Sequence, residues 1–137
     1  MLEYVELQNN GKMRELPETG PFKCVVLVSG QISPEWQEKV SIWLVNSGCL
    51  YMMAWGENCS SWDDSVDIAN LERYDFDDIP DDGFVMTTWH SDEPLEDVLY
   101  FAKYTAIHST IELERLVILD IGMSGRQKML QVLYDQI

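Results

Sequence analysis

Residues 83–99 read Gly83-Phe-Val-Met-Thr-Thr-Trp-His-Ser-Asp-Glu-Pro-Leu-Glu-Asp-Val-Leu99, an apolar run that stops at His90 and restarts as an acidic helix. A run rich in β-branched and aromatic residues is typical of a strand, and Pro94 followed by acids is typical of a helix start. The stretch therefore predicts one strand–loop–helix unit of an α/β domain. In such a unit the loop after the strand brings Trp89, His90 and Asp92 to one edge of the sheet.

Three more apolar runs are bounded by turn residues and separated by helical patterns, at 23–29, 49–55 and 115–121. Continuous apolar runs are typical of strands covered on both faces, and the intervening helices indicate right-handed crossovers. We therefore expect a three-layer, doubly wound α/β domain with helices on both faces. Its mainly parallel sheet has four strands, in the predicted order 2-1-3-4. Residues 1–137 are expected to form one domain, with 1–21 an N-terminal arm that contains at most one short edge strand.

The charge of the chain is strongly negative and unevenly distributed. The 24 acidic and nine basic residues give a formal net charge of −15. Fourteen of the carboxylates lie between Glu57 and Asp97, a segment whose single base is Arg73. Such a field repels nucleic acid and anionic membranes and attracts cationic partners. A negative surface also keeps a protein dispersed in water, so the charge leaves partner binding and solubility as alternatives.

Location and thiol chemistry follow from composition. No apolar stretch approaches the roughly 20 residues of a membrane-spanning helix, and the first residues lack the regions of a secretory signal. We therefore expect a cytoplasmic protein. Cys24, Cys49 and Cys59 are odd in number and have no C-x-x-C spacing, and two of them lie inside strand-like runs. This pattern predicts buried reduced thiols rather than a disulfide or a metal site.

Catalytic candidates come from the ends of the predicted strands: His90, Cys59 and Asp120. Cys59 and His90 follow strands at the same edge of the sheet, and a nearby imidazolium lowers the pKa of a thiol. His90, Asp92 and Asp120 have the hard-ligand character that suits a divalent cation, although their spacing does not require one. A small hydrolase or transferase that uses this crevice is therefore the alternative function.

Motifs for cofactors are missing from the sequence. The turn after residue 29 has one glycine where a dinucleotide fingerprint has three, and no G-x-x-x-x-G-K-[S/T] sequence occurs. We therefore expect neither a cofactor nor a bound metal. A receiver-like regulatory domain is disfavoured, because the acid pair and switch lysine of such domains are not evident.

The favoured function is an acidic module that binds a basic protein. Protein interfaces combine carboxylates that steer the encounter with aromatic anchors that hold the complex, and the segment 62–93 offers both. The residues predicted to contact the partner are Trp62, Asp63, Asp64, Tyr74, Asp75, Phe76, Asp77, Asp78, Asp81, Asp82, Asp92 and Glu93.

In size, charge and domain character the chain resembles bacterial immunity proteins, which neutralise nuclease toxins, including those of contact-dependent inhibition. The segment 88–96, Thr-Trp-His-Ser-Asp-Glu-Pro-Leu-Glu, looks like segments of small uncharacterised bacterial proteins. The resemblance implies that the partner is a basic, nuclease-like toxin. It assigns no role to an individual residue, and the sequence does not indicate an oligomeric state.

Overall fold

The computed structural model describes residues 2–137, in which strands and helices alternate. The strands are β1 (Leu2–Leu7), β2 (Phe22–Val28), β3 (Cys49–Gly56), β4 (Met86–Trp89) and β5 (Leu116–Ile121). The helices are α1 (Pro34–Ser47), α2 (Trp62–Arg73), α3 (Leu95–Tyr100), which continues into a π-helical turn at Phe101–Thr105, and α4 (Gln127–Asp135).

The strands form one parallel sheet in the order β1-β5-β2-β3-β4. The α/β class with a parallel sheet and helices is confirmed, but the predicted four strands and the order 2-1-3-4 are wrong. β1, from the N-terminal arm, is a fifth strand at one edge, and β5 lies between β1 and β2. Burial explains the order: all six residues of β5 are buried, so it needs a neighbour on each side, whereas β4 is short and partly exposed throughout.

Helices cover both faces of this sheet. One apolar cluster joins α1 and α2 to the face that carries Val26, and the other joins α3 and α4 to the face that carries Leu27. β2 is therefore followed by a helix on one face and its neighbour β5 by a helix on the other. This makes the carboxyl ends of β2 and β5 the switch point of the sheet.

Local signals define the ends of α1. The Ser33 hydroxyl accepts a hydrogen bond from the Trp36 N–H at 3.2 Å, and Pro34 occupies the first helical position. Gly48 ends the helix with φ of 108°, a left-handed conformation that glycine adopts without steric penalty. β3 begins immediately afterwards, beside β2.

The acidic segment 57–97 surrounds the β4 edge of the sheet. α2 leads from β3 towards β4 and packs against it, the loop 74–85 joins α2 to β4, and the turn 90–94 joins β4 to α3. The chain topology therefore gathers the acidic residues around one edge strand. We call the exposed residues of 63–97 on α2, β4 and these two connections the acidic β4 edge.

Candidate functional site

His90 is a buried structural residue at the end of β4. Its side chain is 6% exposed, with Nε2 2.9 Å from the Thr88 hydroxyl and Nδ1 2.9 Å from a Glu93 carboxylate oxygen. The ring also packs edge-on against Phe101, with 4.8 Å between the ring centroids. Because both ring nitrogens already have partners within the turn, the imidazole closes the β4–α3 connection.

Cys59 is buried beneath the loop that follows β3. Within the described residues the hydrogen-bond partner of its thiol is the Ser91 hydroxyl, at 3.4 Å, rather than His90. A nucleophilic pair needs direct contact between sulfur and imidazole, and the structure does not provide it. Cys24 and Cys49 are free and buried as well, and burial raises the pKa of the Cys49 thiol to about 12. None of these thiols has the setting of a reactive cysteine.

Asp120 is fully buried and belongs to an ion pair. Arg126 donates to both of its oxygens, from Nη2 at 2.6 Å and Nε at 2.9 Å, and the Tyr4 hydroxyl donates at 2.6 Å. Burial, together with the bond to Asp120, raises the pKa of Tyr4 to about 12. The cluster ties the turn after β5 to β1. Since three strand spacings, roughly 14 Å, separate β5 from β4, Asp120 and His90 do not share a metal ion.

The Asn9 side chain lies at the switch point between β2 and β5. The Asn9 amide nitrogen lies 3.4 Å from the Ser29 carbonyl oxygen. A Cβ atom on Gly122 would lie 2.8 Å from the Asn9 amide oxygen, and one on Gly30 would lie 3.0 Å from its nitrogen. The two glycines thus leave room for an asparagine side chain beside the usual ligand crevice of this fold.

The carboxylates of the acidic segment are largely uncompensated. Among residues 2–137, Glu93 is the only one of the fourteen with an ion-pair partner, and that partner is His90. The arginine ion pairs of the described chain involve Glu3, Glu18 and Asp120, which lie outside the segment. Arg73, the one base inside it, donates to the Asn46 side chain at 3.0 Å. Within residues 2–137, no lysine or arginine therefore forms an ion pair with these carboxylates.

Asn70 fixes the loop 74–85 against the edge of the sheet. Its side chain, which is 2% exposed, accepts from the Val85 N–H and donates to the Gly83 carbonyl, both at 2.9 Å. Tyr74 packs on the same glycine, since a Cβ on Gly83 would lie 2.0 Å from the Tyr74 hydroxyl. The loop is held at both ends while its aspartates remain exposed.

Three carboxylates converge on α2. Oxygen atoms of Asp63, Asp64 and Asp67 lie within 4.8 Å of one another, and Asp67 accepts a hydrogen bond from the Thr87 hydroxyl at 3.3 Å. Burial is the main reason that the pKa of Asp67 is raised, and the charges of the other two aspartates add to it. Oxygens at this spacing can receive a hard cation or the charged end of a lysine or arginine.

Exposed apolar side chains also occur within and just after the acidic segment. The most exposed in the acidic segment is Phe76, at 66%, and its backbone is left-handed with φ of 59°; Trp89, at the end of β4, is 48% exposed. A bulky residue in that conformation is uncommon, and such strain occurs often at functional positions. The exposed large apolar residues between 68 and 107 are Ile68, Leu71, Phe76, Phe84, Trp89, Tyr100, Tyr104 and Ile107.

The predicted partner contacts divide into accessible and inaccessible residues. Trp62 was a wrong choice of anchor, because its side chain is 1% exposed in the core beneath α2. Tyr74 is half-buried, and Phe76 alone of the three aromatics is fully available. Asp63 and Glu93 are half-buried. The remaining predicted acids are exposed: Asp64, Asp75, Asp77, Asp78, Asp81, Asp82 and Asp92.

The sequence model of one family matches residues 2–137. The chain belongs to this family, a domain of unknown function, DUF7684. Neither the curated proteins nor the solved structures give a match to it. Within residues 2–137 of this DUF7684 chain, no helix is both long and apolar enough to cross a membrane.

Sequence reasoning missed Asn70 and gave only part of the setting of Trp89 in the DUF7684 chain. Asn70 follows Val66 by one helical turn, so its position on the buried face of α2 was readable, but its bonds to the β4 strand were not. The sequence placed Trp89 at the carboxyl end of a strand, but it did not show that this strand, β4, is the outermost strand of the sheet. Both roles depend on strand order, which the sequence pattern does not specify.

Proposed function

We propose that the DUF7684 chain is a protein-binding module whose acidic β4 edge docks a basic protein. The observation that supports this most directly is the absence, within residues 2–137, of any lysine or arginine ion pair to the fourteen carboxylates of 57–97. Charges that are not satisfied within a protein remain available to a partner, and they accelerate its encounter.

Solubility alone explains the charge less completely than binding does. A surface that serves only solubility needs carboxylates and has no use for exposed aromatic residues among them. Phe76 and Trp89, both within the acidic segment, are nonetheless exposed. Aromatic anchors surrounded by charge are characteristic of interfaces that combine rapid association with slow dissociation.

We propose a nuclease-like toxin as the partner and immunity as the biological role. Nucleases carry basic surfaces that bind phosphate, and an acidic module competes for those surfaces. The support is the resemblance in size, charge and domain character to bacterial immunity proteins. The cytoplasm is the expected location, because three buried free thiols suit a reducing compartment.

The alternative of a small hydrolase or transferase receives no support from the geometry. His90, Cys59 and Asp120 each have their own structural partners, and no contact brings any two of them together within the described residues. Replacement of His90 by alanine is therefore expected to affect stability and not a chemical step.

The test begins with co-expression of the protein and the products of neighbouring reading frames. For any basic protein that copurifies at equal stoichiometry, the association rate is then measured by stopped flow. Changing Asp77, Asp78, Asp81 and Asp82 together to asparagine should slow association about tenfold at low salt and flatten its salt dependence.

A matched control removes four charges elsewhere: Glu35, Glu38, Glu112 and Glu114 changed to glutamine. All four are exposed, and they lie in α1 and in the loop before β5. If the control slows association as much as the loop variant does, net charge explains the effect and the docking site is wrong. An unchanged rate in the loop variant removes the proposal altogether.

A further inference from the structure

β4 is an edge strand with part of its backbone unpaired. The His90 N–H donates to the Ala54 carbonyl on β3 at 2.9 Å. Because successive residues of a parallel strand direct their backbone groups to opposite neighbours, those of Thr88 also face β3. The N–H and C=O groups of Thr87 and Trp89 therefore face away from the sheet.

One end of this edge is closed by the protein itself. Asn70 receives the outward Val85 N–H and donates to the Gly83 carbonyl, so its amide takes the place of a neighbouring strand at 83–85. Edge strands commonly carry such protection, because exposed backbone groups invite pairing with another chain. The part of the edge without such protection runs from Thr87 to Trp89, the two residues whose backbone groups face outward.

The surroundings of this open part are acidic and aromatic. α2 runs antiparallel to β4, since Asn70 lies level with 83–85 and Asp67 lies level with Thr87. One helical turn earlier, Asp63 and Asp64 reach the level of Trp89. An extended chain along the open edge would pass three clustered carboxylates and an indole that is 48% exposed.

We propose that an extended segment of a partner, with lysine or arginine at alternate positions, adds to β4 as a sixth strand at Thr87–Trp89. This inference rests on the proposed function and names the mode of binding. Backbone hydrogen bonds to the edge provide affinity, while the carboxylates and the Trp89 ring select cationic side chains. The occupant is cationic rather than a second copy, because two copies of this edge would face each other with like charge.

The test adds a terminally blocked hexapeptide of alternating lysine and valine to the full chain. Binding is measured by NMR, through the rates of amide hydrogen exchange. Binding should slow exchange of the Thr87 and Trp89 amides at least tenfold and leave the inward amides of Thr88 and His90 unchanged. A peptide N-methylated at one residue that faces β4 should bind about tenfold more weakly, because one backbone donor is lost. The triple variant D63N/D64N/D67N should also weaken binding, whereas E35Q/E38Q should not.

Three results would overturn strand addition. The peptide could bind with salt dependence while the two outward amides stay unprotected and N-methylation has no effect; cation binding at the acidic β4 edge would then survive without a sixth strand. The amides could become protected with rising protein concentration and no peptide, which would identify a second copy as the occupant. Absence of binding at low salt would remove the inference as well. Failure of the wider docking proposal is measured separately, by the association rate of the Asp77–Asp82 variants with the protein partner.

Discussion

Replacement of Asn70 by leucine tests how the acidic loop is held against β4. The substitution conserves approximate size and removes both hydrogen bonds of the amide. The Val85 N–H is buried and would lose its partner, at about 2 to 3 kcal/mol, and the partly buried Gly83 carbonyl would lose about 1 kcal/mol. Additional apolar contact from leucine returns about 1 kcal/mol. The free energy of unfolding should therefore fall by about 2 to 3 kcal/mol.

Urea denaturation followed by circular dichroism measures this loss, and hydrogen exchange locates it. The Val85 amide should exchange faster in the variant, while amides of β2 and β5 keep their relative protection. Asn46 provides a matched control, because it is exposed and, within residues 2–137, its side chain bonds only to Arg73; its change to leucine should alter stability by less than about 0.5 kcal/mol. A loss below about 1 kcal/mol with unchanged Val85 exchange would refute the role assigned to Asn70.

Three further substitutions test separate parts of the structure. Phe76→Gly should raise the free energy of unfolding by about 0.5 to 1 kcal/mol, since glycine tolerates the left-handed backbone, and should weaken partner binding; equal or lower stability contradicts the strain. Asp67→Asn should stabilise the fold by about 0.5 kcal/mol at pH 7, because burial disfavours the carboxylate and the charges of Asp63 and Asp64 repel it. The pKa of Asp67 in the folded protein lies above its ordinary value of 3.8, so the ionised carboxylate destabilises the fold at pH values above the folded pKa. The stability gained by the asparagine variant should therefore vanish below pH 3.8. A gain that stays the same at every pH in urea denaturation would exclude the carboxylate charge as its cause. Asp120→Asn should lower the free energy of unfolding by about 3 kcal/mol, because Arg126 loses its buried counter-ion. Thermal denaturation measures this loss, and the exposed control Glu114→Gln should leave stability unchanged in the same assay.

The fold class was predictable because its signals are local. The buried strands β2, β3 and β5 are continuous apolar runs, and the Pro34 and Gly48 signals mark the ends of the helix between the first two. Strand order is not local. β1 contains Glu3 and Glu6 and reads as a weak strand, yet it pairs with β5 over six residues because Leu2, Val5 and Leu7 are buried. Pairing between the two ends of the chain leaves no trace in sequence spacing.

The candidate site was predictable in its charge and only partly in its geometry. Aspartates are identified by composition, and their exposure follows from mutual repulsion in the loop. The roles of Trp62 and His90 were not readable in this way, because an aromatic residue or a histidine among acids has the same sequence context whether it is buried or exposed. Burial was decided by the packing of α2 against the sheet and of Phe101 against His90.

Several features beside β4 are unfavourable for a protein that only needs to fold. Phe76 adopts a left-handed backbone while its ring is largely exposed, three carboxylates crowd on α2, and the outward backbone groups of Thr87 and Trp89 have no neighbouring strand. Each feature costs stability or invites aggregation, and marginally stable proteins have little to spare. The carboxylates of α2 and the outward backbone groups of Thr87 and Trp89 lie along the same part of the edge, where a single cationic, extended ligand would relieve the repulsion and pair the strand. That coincidence is the strongest physical reason to propose binding at the acidic β4 edge.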